Sequence, residues 1–409
     1  MSAAGPLGTS GSGALSASEL TLATTGTLDD RVELARILLS RGITDQDLDP
    51  RPAPPGPEDR FARHLGIPFP DGLAPTPQPL ATAPDPAAPL PTADVVVVTW
   101  TVDEQDALAD VLTPGFSRAT WYRYSRNYQS EYEAKIRNGA PAKLAARLGS
   151  YMPTRIGSTS VLVFKSELHL NQDGVSTGSG TATLPVKDLF LQIVDEVRPK
   201  VVITAGTAGS VFEEFGLGDV VVTRGAKFRL ASEFRNEPFN GQAFHSDWPV
   251  PTAHLTDAEG LMAPFSQQLA EPPVDPPTKR YHYHGSLIHT DPNVPKIRLD
   301  GRDMPTFHPI LTTDYFEFGT SANHLDQEGA AVEMGDAVLG MAMGELASPP
   351  DWVVVRNMSD PQINGDIPTD GYLLNQQTQW AVGYYTSYGY YTSVCSSLAA
   401  WGVIAGLTG

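Results

Sequence analysis

The stretch VVVRNMSD at residues 353–360 decides the fold. Three consecutive valines suit a strand that is covered on both faces, and helices cover both faces of a strand mainly in parallel α/β sheets. The polar residues Arg356, Ser359 and Asp360 then lie at the carboxyl end of this strand, where open α/β sheets bind ligands. The alternative is an ordinary strand that ends in a hydrophilic turn.

Other apolar runs predict further strands of the same sheet. The run DVVVVTW (94–100) leads directly into a helix that begins within TVDEQDALADVL (101–112), as expected for the first unit of an α/β sheet. The run KVVITAGTAGS (200–210) predicts a buried strand followed by a Gly-rich turn, and GDVVVTRGAKF (218–228) predicts one more strand. The remaining regular segments are a pair of strands over 154–173, a stretch at 308–319, and helices over 184–199, 330–347 and about 371–407.

The ends of this pattern divide the chain. Residues 1–20 are rich in Gly, Ser and Ala and predict a disordered tail, whereas 27–42 predict a short helix that either docks on the main domain or binds another molecule. Residues 50–91 hold 14 of the 36 prolines, which favours an extended linker laid over the domain surface. We therefore predict a Pro-rich N-terminal extension (1–91) and one α/β domain (92–409) with a single mixed, twisted sheet flanked by helices. An irregular insertion covers about 232–305.

Composition excludes several classes of partner. The formal net charge is −19, with 28 Lys plus Arg against 47 Asp plus Glu, so nucleic-acid polymers and anionic membranes are poor partners. Cys395 is the only cysteine, so no intrachain disulfide can form. The first twenty residues lack the pattern of a signal peptide, and no run of about 18 apolar residues occurs. We expect a soluble, cytoplasmic protein.

Common catalytic and cofactor motifs are missing or incomplete. The sequence GTAGS follows a strand, but the next strand begins about ten residues later and leaves no room for a dinucleotide-binding crossover helix. No GxSxG motif occurs, and Cys395 lies in a helical segment rich in Tyr and Gly. His282, His284 and His289 alternate as on a strand face but lack a third ligand at a known spacing. We expect neither a metal nor a cofactor.

Four segments together resemble the nucleoside phosphorylase/nucleosidase superfamily, in particular methylthioadenosine/S-adenosylhomocysteine-type nucleosidases. In the family's order they are VVITAGTAGSVFEEFGLGDVVVT (201–223), TTDYF (312–316), AAVEMGDA (330–337) and VVVRNMSD (353–360). The resemblance covers about 92–230 and 308–400. It implies a nucleoside phosphorylase-like fold, a small-molecule nucleoside or nucleotide as the binding partner, and a homo-oligomer. It also implies that the chain hydrolyses the N-glycosidic bond of a purine nucleoside or nucleotide.

The resemblance assigns the acid and the base of this reaction. Asp360 matches the general acid that protonates the purine at N7, so burial must raise its pKa above the usual value of about 3.9. Ser359 and Arg356 match the neighbours that orient the acid and support its loop. Glu104 is the best match for the glutamate that activates water, and Asp103 is its rival.

The remaining matched residues would hold the substrate. Phe316 takes the base-stacking position, and the stretch Thr207, Ala208 and Gly209 offers backbone N–H groups and a hydroxyl to the ligand. At the sugar site, Glu333, Met334 and Asp336 are the predicted contacts.

The sugar site departs from the family pattern. The nucleosidases carry Glu-Met-Glu, whereas this chain has Gly335 in place of the second glutamate. Either Glu333 or Asp336 takes over the sugar hydroxyls, or the substrate carries a different sugar such as 2′-deoxyribose, or the site is degenerate. The predicted helix over 330–347 places Gly335 inside a helix.

Two alternatives to hydrolysis remain open at the sequence level. Phosphorylases of the family that this chain resembles hold phosphate with an arginine two residues before the Gly-rich turn and with a basic site after the first strand. This chain has Thr204 and the acidic TVDEQD in those places, so water is the favoured nucleophile. Arg224, Lys227 and Arg229 either meet a phosphorylated 5′ end or are solvated. A catalytically inactive nucleoside-binding module is the other alternative, and Gly335 favours it.

Overall fold

The computed structural model of the chain describes residues 15–43, 65–170, 182–269, 294–300, 308–367 and 376–408. The helices are α1 (Ala17–Thr25), α2 (Leu28–Ser40), α3 (Val102–Leu112), α4 (Pro141–Ala145), α5 (Pro185–Val197), α6 (Leu255–Met262), α7 (Asp336–Gly344) and α8 (Gln376–Ala405). The strands are β1 (Thr76–Pro77), β2 (Val95–Thr99), β3 (Tyr122–Tyr124), β4 (Gly149–Ile156), β5 (Thr159–Ser166), β6 (Val201–Ser210), β7 (Val220–Thr223), β8 (Gly225–Phe228), β9 (Ala243–His245), β10 (Ile297–Leu299), β11 (Ile310–Thr312), β12 (Ala331–Glu333) and β13 (Asp351–Asp360).

The 13 strands of the described ranges form one mixed sheet, in which β6 is the central strand. Its first half pairs in parallel with β2, and β13 runs parallel along its other edge, from Asp351 opposite Val201 to Asp360 opposite Gly209. The end of β6 also pairs antiparallel with β12. This arrangement confirms the predicted α/β fold with a single mixed sheet flanked by helices.

The register of β6 and β13 determines where the polar residues meet. Arg356 lies opposite Gly206, and Asn357 lies opposite Thr207. The Asn357 side chain donates to the Gly206 carbonyl at 2.8 Å and to Ser396 Oγ of α8 at 2.9 Å. The apolar half of β13 is thus core, and four of its last five residues carry polar side chains into the buried end of the sheet.

Three segment predictions need correction. The GTAGS segment is not a turn but the end of β6, because β13 and β12 supply its hydrogen-bond partners. The predicted strand over 218–228 is two strands, β7 and β8, interrupted at Arg224 as the pairing changes from β13 to β11 and β9. The first part of the predicted helix over 330–347 is strand β12, and Gly335 is the residue that caps α7 instead of an interior helix position.

The predicted irregular insertion is partly regular. Between 232 and 269 it contains β9, α6 and a 3₁₀-helix over Ala263–Leu269, and β10 pairs in parallel with β7. Residues 270–293 and 301–307 lie outside the described ranges, so the predicted histidine pattern at 282–289 does too.

The N-terminal extension packs against the main domain over its described parts. Helix α1 begins within the predicted disordered tail, because Ser16 and Glu19 form a capping box and Ala23 is fully buried. Residues 65–91 follow the domain surface, and Trp401 Nε1 donates to the Leu73 carbonyl at 2.8 Å.

The long helix α8 lies against α3, β6 and β13 and buries Trp401, Leu398 and Cys395. Across the described ranges, none of the helices combines the length and apolar character needed to cross a bilayer.

Candidate active site

A cavity lies where β2, β6, β12 and β13 end, and the space between its lining residues, counted together with the part that is open to solvent, is about 590 Å³. All of the residues predicted from the sequence to catalyse or to bind substrate line it, except Asp336.

Asp360 is buried at the end of β13, with 2% of its surface exposed. Ser359 Oγ lies 3.0 Å from Asp360 Oδ1, whereas Oδ2 is buried and accepts no hydrogen bond from the described residues. Burial raises the pKa of Asp360 from 3.8 to about 7, and the Ser359 hydrogen bond opposes this shift only in part. A carboxyl group with this pKa can hold a proton near neutral pH and deliver it to a ligand.

Glu104 lies in the first turn of α3 and is also buried. Its Oε2 accepts hydrogen bonds from Thr99 Oγ1 at 2.9 Å, Trp100 N at 3.0 Å and Thr101 N at 2.8 Å. Its Oε1 accepts from the backbone N and the Oγ1 of Thr207, both at 2.8 Å. Five donors therefore fill the acceptor sites of this carboxylate.

These contacts keep Glu104 ionised. Burial favours the neutral form, but the Arg356 guanidinium and the backbone hydrogen bonds outweigh it and lower the pKa of Glu104. Asp103, the alternative base, is half-buried and does not line the cavity. The two buried carboxyl groups, Asp360 and Glu104, thus have pKa values that move in opposite directions, the pattern of an acid and a base in one site.

Arg356 connects the anionic groups of the site. Its Nε and Nη2 donate to the two oxygens of Asp336, both at 2.7 Å, in a bidentate pair. Nη2 lies 3.3 Å from Glu333 Oε2, and Nη1 lies 3.9 Å from Glu104 Oε1. The guanidinium also stacks 4.8 Å from the centre of the Trp100 ring. One cation therefore faces three carboxyl groups, which leaves an excess of negative charge around the cavity.

Glu333 and Asp336 have different positions. Glu333 lines the cavity and accepts hydrogen bonds from Thr312 Oγ1 and from the backbone N–H groups of Gly335 and Asp336. Burial and the nearby Asp336 carboxylate raise the pKa of Glu333 to about 8. Asp336 is fully buried and is held by Arg356. Glu333 is thus the carboxyl group of this pair that is accessible from the cavity.

Gly335 lies beneath an aromatic ring. A Cβ atom there would come within 3.3 Å of Trp100 Cζ2 and 3.6 Å of Glu333 Oε2. The space next to this residue is therefore occupied by the indole of Trp100, which also lines the cavity.

Two glycines of β6 make room for the carboxyl groups of Glu104 and Asp360. A Cβ atom at Gly206 would lie 2.5 Å from Glu104 Oε1 and 2.6 Å from Arg356 Nη1, and one at Gly209 would lie 2.8 Å from Asp360 Oδ2. Neither glycine has a positive φ. Their function is the close approach of side chains to the strand backbone.

Phe316 forms an aromatic wall of the cavity. Its ring centroid lies 6.2 Å from that of Phe318 and 6.4 Å from that of Tyr385. Asp314, the acidic neighbour in the same segment, instead accepts hydrogen bonds from the backbone N–H groups of 231, 232 and 234. Its role in the structure is to hold that turn.

Several lining residues were not predicted. Trp100, His169, Leu38, Leu39 and Tyr385 belong to this group. Burial lowers the pKa of His169 to about 4, so its ring is neutral at neutral pH. Trp100 ends the first apolar run and Tyr385 belongs to the aromatic run of α8, so there was a reason in the sequence to consider these two residues. Leu38 and Leu39 have only the spacing of an ordinary amphipathic helix, which does not indicate a site.

The basic residues after β7 do not reach the cavity. Arg224 pairs with Asp300 at 2.7 Å, and Lys227 lies 3.5 Å from Glu328. Arg229 contacts Glu328 at 3.2 Å and Glu317 at 3.1 Å. Within the described ranges, no group of three or more His, Cys, Asp or Glu residues has the geometry of a metal site.

No family model matches the chain, and no curated protein matches it. Among solved structures, a 5′-methylthioadenosine/S-adenosylhomocysteine nucleosidase from Neisseria meningitidis in complex with methylthio-immucillin-A is 14% identical, with a TM-score of 0.39; the match covers 76% of this chain and 98% of that chain. The corresponding nucleosidase from Colwellia psychrerythraea, in complex with adenine, is 15% identical, with a TM-score of 0.39 and coverage of 78% and 98%. Futalosine hydrolase of Helicobacter pylori is 10% identical, with a TM-score of 0.38 and coverage of 76% and 96%.

Proposed function

We propose that this chain hydrolyses the N-glycosidic bond of a purine nucleoside. The observation that carries the proposal is the pairing, in one cavity, of a buried acid with a free oxygen and an anionic cluster around a single arginine. N-glycosidic cleavage uses the acid to protonate the leaving base. It uses the anionic cluster to stabilise the positive charge that develops on the sugar.

Asp360 supplies the proton. As the bond between the sugar C1′ and the base nitrogen breaks, its electron pair passes to the base, and the Asp360 proton neutralises the base at N7. A general acid of this kind contributes about 10² to 10⁴ in rate. The uncharged aromatic face of Phe316 offers a surface for the purine ring.

The anionic cluster stabilises the cationic sugar. Glu104 lines the cavity as a carboxylate, because its pKa is lowered, and Arg356 is already neutralised by Asp336. Negative groups held rigidly in a buried site stabilise developing positive charge without reorganisation. The same excess of negative charge disfavours a phosphorylated substrate, so a nucleoside fits better than a nucleotide.

Water adds to the sugar C1′ from the side that faces Thr207 and Glu104. The acceptor sites of Glu104 are filled, but Thr207 Oγ1 donates its own proton to Glu104 and can accept a hydrogen bond from water. The water proton then passes through Thr207 to Glu104 as the new C1′–O bond forms. The products are a neutral base and a free sugar.

The test is the release of free base, measured by chromatography, from adenosine, inosine, guanosine, methylthioadenosine, deoxynucleosides and ATP in phosphate-free buffer. We expect release by the wild type and a loss of about 10² to 10⁴ in kcat for Asp360→Asn. Asp71→Asn changes an exposed aspartate in the same way and serves as the control. If no substrate releases base, with or without phosphate, the proposal is wrong. Binding of adenosine without turnover would identify a nucleoside-binding module.

A further inference from the structure

The N-terminal helix α2 contacts the segment that carries Phe316. This segment, residues 313–319, has no helix or strand structure of its own. The Phe316 backbone N–H donates to the Arg31 carbonyl at 3.1 Å, and Arg31 Nε donates to the Phe316 carbonyl at 2.7 Å. Both backbone polar groups of the aromatic residue are therefore satisfied by one residue from the other end of the chain.

Arg31 also holds the neighbours of Phe316. Its guanidinium lies 4.8 Å from the centre of the Tyr315 ring and 5.2 Å from that of Phe318, and it pairs with Glu317. A half-buried guanidinium with two hydrogen-bonded partners and two aromatic faces is a specific attachment, which a lysine could not reproduce.

The same helix continues over the cavity. Leu38 and Leu39, seven and eight residues after Arg31, lie two turns along and line the cavity. Beyond them, Gly42 lies against Val102 at the start of α3, the helix that carries Glu104. Helix α2 and the residues directly after it thus lead from the segment that carries Phe316 to α3, the helix of the proposed water-activating group.

We propose that α2 is part of the active site: Arg31 is the positioning residue for Phe316, and Leu38 and Leu39 form an apolar wall against the bound nucleoside. This inference rests on the proposed function for its kinetic consequences. Its structural part, the placement of Phe316 by Arg31, is measurable without turnover.

The kinetic test compares Arg31→Ala with Arg36→Ala. Arg36 is on the same helix but pairs with Glu233 at 2.7 Å, away from the cavity. We expect Arg31→Ala to raise KM for the nucleoside about tenfold or more, with the pH dependence of kcat unchanged, whereas Arg36→Ala leaves KM unchanged. Arg31→Lys should recover only part of the loss. Equal effects of the two alanine variants would show that Arg31 merely docks the helix, and would overturn the inference.

The apolar wall has its own matched pair. Leu38→Ala removes a lining side chain, and Val32→Ala removes a buried side chain of the same helix that does not line the cavity. We expect the KM for the nucleoside to rise only for Leu38→Ala. A rise for both variants in proportion to lost stability would contradict a contact with substrate.

Amide hydrogen exchange separates this inference from the proposed function. Exchange in residues 314–319 should increase in Arg31→Ala and not in Arg36→Ala, whether or not the enzyme turns over. Unchanged exchange in Arg31→Ala overturns the positioning role even in an active enzyme. A wild type that is inactive on every nucleoside, together with the specific rise in exchange, rejects the proposed function and retains the placement of Phe316.

Discussion

At the scale of single residues, opposite environments act on two carboxyl groups of the same cavity. The Asp360 carboxyl group is buried with a single hydrogen-bond partner among the described residues, the Ser359 hydroxyl, whereas Glu104 accepts five hydrogen bonds and faces Arg356. Desolvation dominates the pKa of Asp360 and raises it. For Glu104, the charge of Arg356 and the hydrogen-bond donors together outweigh desolvation and lower the pKa. The residue type alone, a carboxyl group, does not determine which role it takes.

The pH dependence of catalysis should reflect Asp360. Because the acid must be protonated and its pKa is raised to about 7, we expect kcat to fall about tenfold per unit as pH rises above that value. The measurement is kcat for base release between pH 5 and 9. A profile that stays flat to pH 9 would contradict a role for Asp360 as the acid.

The same pKa predicts an effect on stability. Between about pH 4 and 7 the folded protein keeps the Asp360 proton while the unfolded chain loses it, so this group destabilises the fold as pH rises. Relative to wild type, Asp360→Asn should therefore gain free energy of unfolding between pH 4 and 8, by at most about 4 kcal/mol. Urea unfolding at both pH values tests this, with Asp71→Asn expected to show no such gain.

A methyl group at Gly209 should displace the acid. The added Cβ would lie 2.8 Å from Asp360 Oδ2 and 3.1 Å from Val332 Cγ1, so we expect Gly209→Ala to lower kcat at least about tenfold, as misplaced catalytic groups do. Gly260→Ala is the control, because its Cβ has nothing within 4 Å. Normal turnover by Gly209→Ala would show that the close approach is not needed.

At the scale of elements, the site lies where the carboxyl ends of strands meet the amino ends of helices. The ends of β6 and β13, the start of α3 and the start of α7 meet there, and the Arg356–Asp336 pair ties β13 to the first residue of α7. Strand β12 ends two residues before Gly335, so the chain turns directly from the sheet into the helix that Arg356 holds.

The Arg356–Asp336 pair should show strong coupling. Replacing Arg356 alone by Met leaves Asp336 charged and buried, which costs about 3–5 kcal/mol of stability. The double variant Arg356→Met with Asp336→Leu should lose less than the sum of the two single variants, since neither buried charge is left unpaired. A double-mutant cycle in urea measures this, and additive losses would mean that other partners compensate Arg356.

At the scale of the whole molecule, charge favours water as the nucleophile. The chain has a formal net charge of −19. Arg356 is the one Lys or Arg among the described residues that line the cavity, and its charge is shared by three carboxyl groups. Phosphate bound beside the sugar would meet these carboxyl groups without a free cation.

The predicted homo-oligomer stays a prediction.

Turnover should therefore be independent of phosphate. The rate of base release should change less than about twofold when tens of millimolar phosphate is added to the phosphate-free buffer. The ionic strength is held constant, because added salt screens exposed charges and would itself change the rate. Labelled phosphate should not appear in a sugar product. Incorporation of label would identify a phosphorylase and contradict the hydrolysis.

Local signals in the sequence determined much of this protein. The valine runs predicted β2 and β13, the Thr101 and Glu104 capping box marks the start of α3, and Thr27 caps α2 where its helix was predicted. These elements follow from periodicity and from the hydrogen-bonding needs of helix ends, both of which act over a few residues. The residues matched by resemblance could be named from the sequence, because each lies in or next to a strand or a helix start that has such a local pattern.

Tertiary structure alone decided the environment of each residue. A first-turn glutamate is usually exposed, but Glu104 is buried, and Thr207, 103 positions away, donates to it. The GTAGS segment became strand because β12 and β13 pair with it, and Gly335 became a helix cap because β12 ends before it. Arg31 meets Phe316 across 285 positions. Such contacts depend on strand register and on packing between distant segments, which local patterns do not encode.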